Sequence, residues 1–303
     1  NIENSSKVYK LYVIPKSRLY TDRIHNVAII KNKKLLSGPS LQLKDNSNSP
    51  IINNIVLKNG TPRLKKKVNG TLLSLLTGGG GNDNYFHWLF DVLPRIAICE
   101  KNNILKNVEY FLCPNLNKWQ KETLLLLDIP VEKLLNSKKF RHLEADNLIV
   151  TDHPWQHSRD ANNDIQNIPE WISSWLRGKF LKKIVEKNSP KKIFIDRSDS
   201  ISNLKDKRKI LNEEEVKNYL ENNGFVSVQL GKLPFLKQIS LFFNCETVLG
   251  LHGAGFSNLI WSQSGTKIIE IKNIEANKLY ENLAKQNKLY YKSLSLKSET
   301  HTI

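Results

Sequence analysis

Val248-Leu-Gly-Leu-His-Gly-Ala-Gly-Phe-Ser-Asn-Leu-Ile-Trp261 reads as a short buried strand, a turn and the start of a helix. Val248 and Leu249 supply the strand, and Gly250, His252, Gly253 and Gly255 fall in the turn. A helix is expected from Ala254, with Leu259, Ile260 and Trp261 on its inner side. Glycines at a strand-to-helix turn let the backbone approach a ligand, and a helix N-terminus offers N–H groups to an anion. A phosphate site is the sharp reading. A tight turn packed on a sheet is the plain one, and the surrounding chain has to separate them.

Outward from that turn, strands and helices alternate. Lys192–Asp196, Phe225–Val228, Thr247–Gly250 and Lys267–Ile271 read as strands, with helices over Asn212–Asn222 and Pro234–Asn244. That rhythm implies a parallel sheet covered on both faces, in which ligands sit at the carboxyl ends of strands. Arg197 follows one strand end, where a guanidinium fork suits a diphosphate, and Arg208 adds charge within a lysine-rich stretch. Glu270, near the end of another strand, is placed to grip ribose hydroxyls.

The first half is less regular. Residues 1 to about 76 alternate apolar runs (Tyr9–Ile14, Val27–Ile30, Ile51–Leu57, Leu72–Leu76) with polar turns, the pattern of strands in hairpins. The run Thr77-Gly-Gly-Gly-Gly81 then leads into a helix, with Asn82, Asp83 or Asn84 as N-cap. His87 and Asp91 share a face of that helix, Phe86, Leu89, Phe90 and Leu93 cover the other, and Pro94 should kink or end it. A His and a carboxylate so placed suit general-base chemistry, one group orienting the other; a buried, bonded His is the plain alternative. Val108–Cys113, Lys118–Leu127 and Leu148–Val150 read as strand, helix and strand. The loop Thr151–His157 holds His153 and His157 beside Asp152 but lacks a third convergent metal ligand, and it reads as a loop. An amphipathic helix from Pro169 to about Asn188 reads as a connector between two domains.

The 303 residues carry 46 Lys and Arg against 29 Asp and Glu, a net charge of +17 that points to an acidic partner. The lysines are scattered, with no basic helix interleaved with aromatics, which weakens the competing reading of a noncatalytic nucleic-acid- or polyanion-binding protein. Three cysteines without metal-ligand spacing fit a reducing compartment. No apolar run is long enough to span a bilayer, and the start lacks a signal peptide's apolar core. The expected location is cytoplasmic, peripheral at the inner membrane face.

Three blocks resemble glycosyltransferase family 61. They are Asn84-Tyr-Phe-His-Trp-Leu-Phe-Asp-Val-Leu-Pro-Arg95; Arg197-Ser-Asp-Ser200 with Arg208 and Asn212-Glu213; and Gly250-Leu-His-Gly-Ala-Gly-Phe-Ser-Asn258 with Glu270. They occur in the family's order across about residues 75 to 275, with Phe256 where members commonly show Leu. The family includes plant xylan-decorating transferases and extracellular O-linked N-acetylglucosamine transferases, with bacterial relatives in capsule and lipopolysaccharide clusters. The resemblance implies an α/β GT-B fold, two Rossmann-like domains facing across a cleft. Residues 1–170 would form the acceptor-side domain, 171–190 the connecting helix and 191–303 the nucleotide-sugar domain. It implies inverting, metal-independent transfer from a UDP-sugar to a hydroxyl of a glycan or lipid-linked glycan, with no cofactor and no nucleic-acid partner. Arg197, Arg208, His252, Gly253, Ala254, Gly255, Asn258 and Glu270 would serve the donor, and Asn84 and Arg95 the acceptor or cleft. The acceptor base is Asp91 or His87, with Asp91 preferred. His252 either contacts the donor or bonds backbone across its turn.

Overall fold

The computed structural model describes residues 8–21, 26–44, 47–48, 51–76, 84–158, 160–186, 188–198, 210 and 212–296. Two compact units divide the chain, residues 1–176 and 177–303. The strands of the first unit are β1 (Leu11–Thr21), β2 (Asn26–Lys31), β3 (Lys34–Leu35), β4 (Leu41–Lys44), β5 (Ser47–Asn48), β6 (Lys66–Ser74), β7 (Tyr110–Cys113), β8 (Leu134–Asn136) and β9 (His142–Thr151). Its helices include α1 (Ile55–Asn59), α2 (Tyr85–His87), α3 (Leu93–Lys101), α4 (Lys118–Leu125) and α5 (Ala161–Asp164).

These strands form one mixed sheet in the order β5-β4-β2-β1-β9-β6-β7-β8, with β3 against β2. Pairing from β9 through β8 is parallel, whereas β1 runs antiparallel to both β9 and β2. One face buries Leu19, Val27, Ile29, Leu72, Leu112, Leu148 and Val150. The alternation along β1 and β2 sends Ala28 and Ile30 to the other face, where Val56 of α1 covers them.

One expectation for this half is corrected and another sharpened. Ile51–Leu57 is not a strand: Ile51–Asn53 is a 3₁₀ turn, and Asn54 caps α1 by accepting the Val56 N–H at 3.1 Å. Of the two outcomes expected at Pro94, a kink or an end, the chain shows a break in helical register rather than an end. Between α2 and α3 the residues Trp88–Val92 form a π-turn, whose wider register pairs the Leu93 N–H with the Trp88 carbonyl. A proline within an α-helix lacks one donor and clashes with the carbonyl four residues back. The π-turn just before Pro94 loosens that register, so the helical run continues to Lys101. Every residue from Trp88 to Cys99 is buried, so this run is a core element with no solvent face.

Helix α6 (Glu170–Phe180) carries the chain from the first unit into the second and gives way to a 3₁₀ turn at Leu181–Lys183, short of the Asn188 expected. The second unit contains β10 (Lys192–Asp196), α7 (Glu213–Asn222), β11 (Val226–Gln229), α8 (Phe235–Asn244), β12 (Thr247–Leu251), β13 (Lys267–Asn273), α9 (Leu279–Gln286) and β14 (Tyr290–Leu296). All pairings are parallel, in the order β11-β10-β12-β13-β14. Numbered from β10, that order is 2-1-3-4-5. The winding therefore reverses between β10 and β12, and a crevice at the carboxyl ends of those two strands is where such sheets hold ligands.

Phe194 and Leu249 bury one face of this sheet under Leu220 of α7. Near α8, Phe180, Phe235 and Trp261 pack edge to face, with ring centres 5.0–6.0 Å apart. The helix expected from Ala254 is a 3₁₀ helix over Ala254–Trp261.

Candidate active site

In the first unit the π-turn places Asp91 inside the core. Its carboxylate is fully buried, and donors surround it. His87 Nδ1 lies 2.8 Å from Asp91 Oδ2, and Trp155 Nε1 donates to Oδ1 at 2.5 Å. His153 Nε2 approaches Oδ2 at 3.6 Å, longer than a full hydrogen bond. Both His153 and Trp155 come from the loop that leaves β9.

The tautomers follow from these partners. His153 Nδ1 accepts the backbone N–H groups of Gln156 (3.0 Å) and Trp155 (3.4 Å), so the ring proton sits on Nε2, facing Asp91. Burial pushes the His153 pKa below the ordinary value, favouring the neutral ring, although Asp91 pulls the other way. On Asp91, burial favours the neutral acid, but the charge and hydrogen bond of His87, with the His153 N–H close by, overturn that. Its pKa falls far below the carboxylate range. A carboxylate so held takes up protons poorly. His87 is the opposite case: burial works against its charged form, yet the charge and hydrogen bond of Asp91 raise its pKa. With Nδ1–H committed to Asp91, Nε2 carries the lone pair, and the side chain is 26% exposed against 1% for Asp91. A partly exposed imidazole backed by a buried carboxylate is an arrangement chemically suited to taking up a proton.

Asn84 and Arg95 have structural work at the two ends of this run. Asn84 is the N-cap, accepting the Phe86 N–H at 2.9 Å. Arg95 is fully buried, and its Nη1 donates to Thr151 Oγ1 (3.2 Å) and to the carbonyls of Thr151 and Asp152 (3.4 Å each). It thus pins the end of β9, and with it the loop carrying His153 and Trp155. His157 diverges from Asp91 toward Tyr9 and Asp164.

In the second unit, Arg197 follows β10 and the glycine turn follows β12, on either side of the winding reversal. Arg197 Nη1 donates to the His252 carbonyl at 2.7 Å. Its guanidinium crosses so close to Gly253 that any Cβ there would overlap it. Gly253 has an extended backbone, φ 166°, so closeness rather than conformation demands glycine. The amides of Ala254 and Gly255 precede the first bond of the 3₁₀ helix, Phe256 N–H to the Gly253 carbonyl at 3.0 Å. A fork of positive charge and two leading amides share one strand-end turn.

Glu270 does not present a carboxylate for ribose. It is fully buried, with Oε1 2.6 Å from His252 Nδ1 and Oε2 accepting the Tyr291 hydroxyl. It lies opposite Gly250 inside the ladder, and its work is to fix the His252 ring, which also packs on Tyr280 at 5.1 Å. Asn258 is likewise a brace. Its Nδ2 donates to Gln238 Oε1 and the Gly255 carbonyl (3.2 Å each), and its Oδ1 accepts Trp261 Nε1 at 3.0 Å. Arg208 lies outside the described residues.

His153 and Trp155 are the participants that reading the sequence missed. Their signal was the position of the loop, at the carboxyl end of a strand, together with a proline between two ring-bearing residues.

A parallel sheet wound in the order 2-1-3-4-5, with helices between its strands, defines a class, the doubly wound α/β proteins. A family model described as Glycosyltransferase 61 matches residues 85–269, more than half of the chain, and the chain belongs to that family. It is similar to proteins named EGF domain-specific O-linked N-acetylglucosamine transferase. The Drosophila melanogaster protein is 33% identical over 89 residues, and those of Canis lupus familiaris and Rattus norvegicus are 32% identical over 89. Each match covers 28% of this chain and 17% of the relative, so the chain spans about a sixth of the length of the curated relatives it matches.

Proposed function

We propose that this chain is an inverting glycosyltransferase that moves a sugar from a UDP-linked donor to a hydroxyl of a glycan acceptor. The observation that carries this is the Arg197–Gly253 turn at the β10/β12 reversal, read together with the family match. A departing diphosphate gathers negative charge, and a fixed guanidinium with preset amides stabilises it without reorganising. That is the reason to propose a metal-independent transfer: the fixed charge takes the part that a divalent cation takes elsewhere. His252, oriented by Glu270, is assigned to the donor beside the turn.

Inversion at the anomeric carbon in one displacement needs a base for the acceptor hydroxyl. His87 Nε2 is assigned that role, Asp91 stabilises the imidazolium that forms, and the neutral His153 and Trp155 hold Asp91 in place. Asp91, preferred on sequence grounds, is too well bonded and too acidic to be the base. The two units take the two parts of a GT-B enzyme, with the base on the first and the donor on the second. The names of the relatives make an N-acetylglucosamine donor the first to test. The family resemblance favours a capsule- or lipopolysaccharide-type surface glycan as acceptor. Three free, buried cysteines accord with the proposed cytoplasmic location.

Calorimetric titration with UDP-N-acetylglucosamine, other UDP-sugars, GDP-sugars and CMP-sugars tests the reading. Binding of a UDP-sugar that is lost in Arg197→Ala is expected. Binding of none of them would overturn it.

A further inference from the structure

Residues 51–67 form a strap over one face of the first unit's sheet. Val56 is the buried residue of α1, packed on Ala28 and Ile30 with Tyr20 and Leu35 beside them. Further along, Thr61 Oγ1 lies 3.4 Å from Arg18 Nη1, and the Leu64 carbonyl lies 3.0 Å from His142 Nδ1. Arg18 and Tyr20 share a face of β1, and His142 stands opposite Tyr20 in the ladder. The strap is therefore pinned at both ends to that face.

Its outer side is apolar to an unusual degree. Ile52 is 76% exposed, Ile55 46%, Leu57 56% and Leu64 88%. Among the described residues, four of the fourteen exposed large hydrophobic side chains thus fall within thirteen consecutive positions. The same strap carries Lys58, Arg63 and Lys65 and runs into Lys66 and Lys67 at the start of β6, with no carboxylate from 51 to 67. Lys65 pairs with Glu144 and Lys66 sits 4.8 Å above the Phe140 ring, while Lys58, Arg63 and Lys67 are exposed.

We propose that the strap 51–67 is a docking surface for an anionic lipid bilayer. Aliphatic side chains flanked by lysine and arginine match an acyl boundary beneath negative headgroups: the apolar tips enter the first, and the cations meet the second. A nucleic-acid surface would offer aromatic rings for stacking, and the strap has none. Among the described residues no helix is long and apolar enough to cross a membrane, so the contact is peripheral.

Vesicle flotation of the full chain tests this, using phosphatidylcholine vesicles with and without phosphatidylglycerol. Two variants accompany the wild type: Ile52→Ser with Leu57→Ser and Leu64→Ser, and Lys58→Ser with Arg63→Ser and Lys67→Ser. Circular dichroism and melting confirm that each is folded. The wild type is expected to float only with the anionic vesicles, less so in high salt, and each variant to lose at least about tenfold in affinity. Failure of the wild type to float would overturn the proposal, as would equal flotation with neutral vesicles. So would an aliphatic variant that floats like the wild type, since the net charge alone would then suffice. A wild-type dimer that the aliphatic variant converts to monomer would assign the surface to a second copy instead. Flotation needs no sugar transfer, so this outcome and that of the donor titration are independent.

Discussion

Asp91 and His87 stand four residues apart, and the 2.8 Å bond between Oδ2 and Nδ1 joins a fully buried carboxylate to an imidazole that still reaches solvent. This asymmetry is what the proposed mechanism uses: the buried partner would hold charge and the exposed one exchange protons.

A pH profile follows from it. In the proposed mechanism neutral His87 is the active form, and its pKa is raised by Asp91, so activity should be lost as pH falls through a value above the ordinary one of about 6.5. In Asp91→Asn the charge is gone, and the acid limb of kcat/KM for nucleoside diphosphate release should move to lower pH, with a lower plateau. A limb that stays in place would detach Asp91 from His87.

His153 predicts a stability effect. Its folded pKa is depressed, so the unfolded chain takes up a proton at ordinary histidine pH while the folded chain resists. Stability is then retained above the unfolded value and lost as pH falls below it. His87 acts with the opposite sign, adding stability below the ordinary value that fades as pH rises through its raised pKa. Urea melts of His153→Gln from about pH 7 to 5 should show a shallower decline than the wild type. An unchanged slope would mean that His153 protonates freely in the fold.

Gly253→Ala forces the Arg197 guanidinium off its turn, because the new Cβ would overlap it. Loss of one charge-assisted contact of about 1.5–3 kcal/mol corresponds to roughly ten- to hundredfold weaker donor binding. Gly178→Ala, where nothing lies within 4 Å, is the control and should bind as the wild type. Equal titration curves for Gly253→Ala and wild type would separate this turn from the donor.

Tyr291→Phe leaves the Glu270 carboxylate in place but removes the hydroxyl that bonds Oε2. With one buried acceptor uncompensated, a destabilisation of about 1–3 kcal/mol is expected, together with weaker donor binding as His252 loses its fixed partner. Thermal unfolding and calorimetry report the two separately, and no change in either would remove Tyr291 from the site.

What the sequence disclosed was local. The glycine turn, Arg197 after β10 and the His87–Asp91 spacing each lie within a few residues of an element whose period is readable. Hidden parts were nonlocal or aperiodic. Trp155 meets Asp91 from 64 positions away, and Glu270 reaches His252 from 18. The π-turn leaves no periodic trace except the otherwise awkward Pro94. Ile51–Leu57 looked like a strand because its apolar residues are β-branched or aliphatic, but Asn54 caps a helix in its midst. The mixed pairing of the first sheet, with β1 joining β9 antiparallel, also depends on partners that no short window contains.

His87→Ala tests most directly whether His87 is the base. Nucleoside diphosphate release from the donor found by titration, with saturating acceptor, should fall by roughly 10²–10⁴ while donor affinity stays as in the wild type. Turnover by His87→Ala at the wild-type rate would contradict the account.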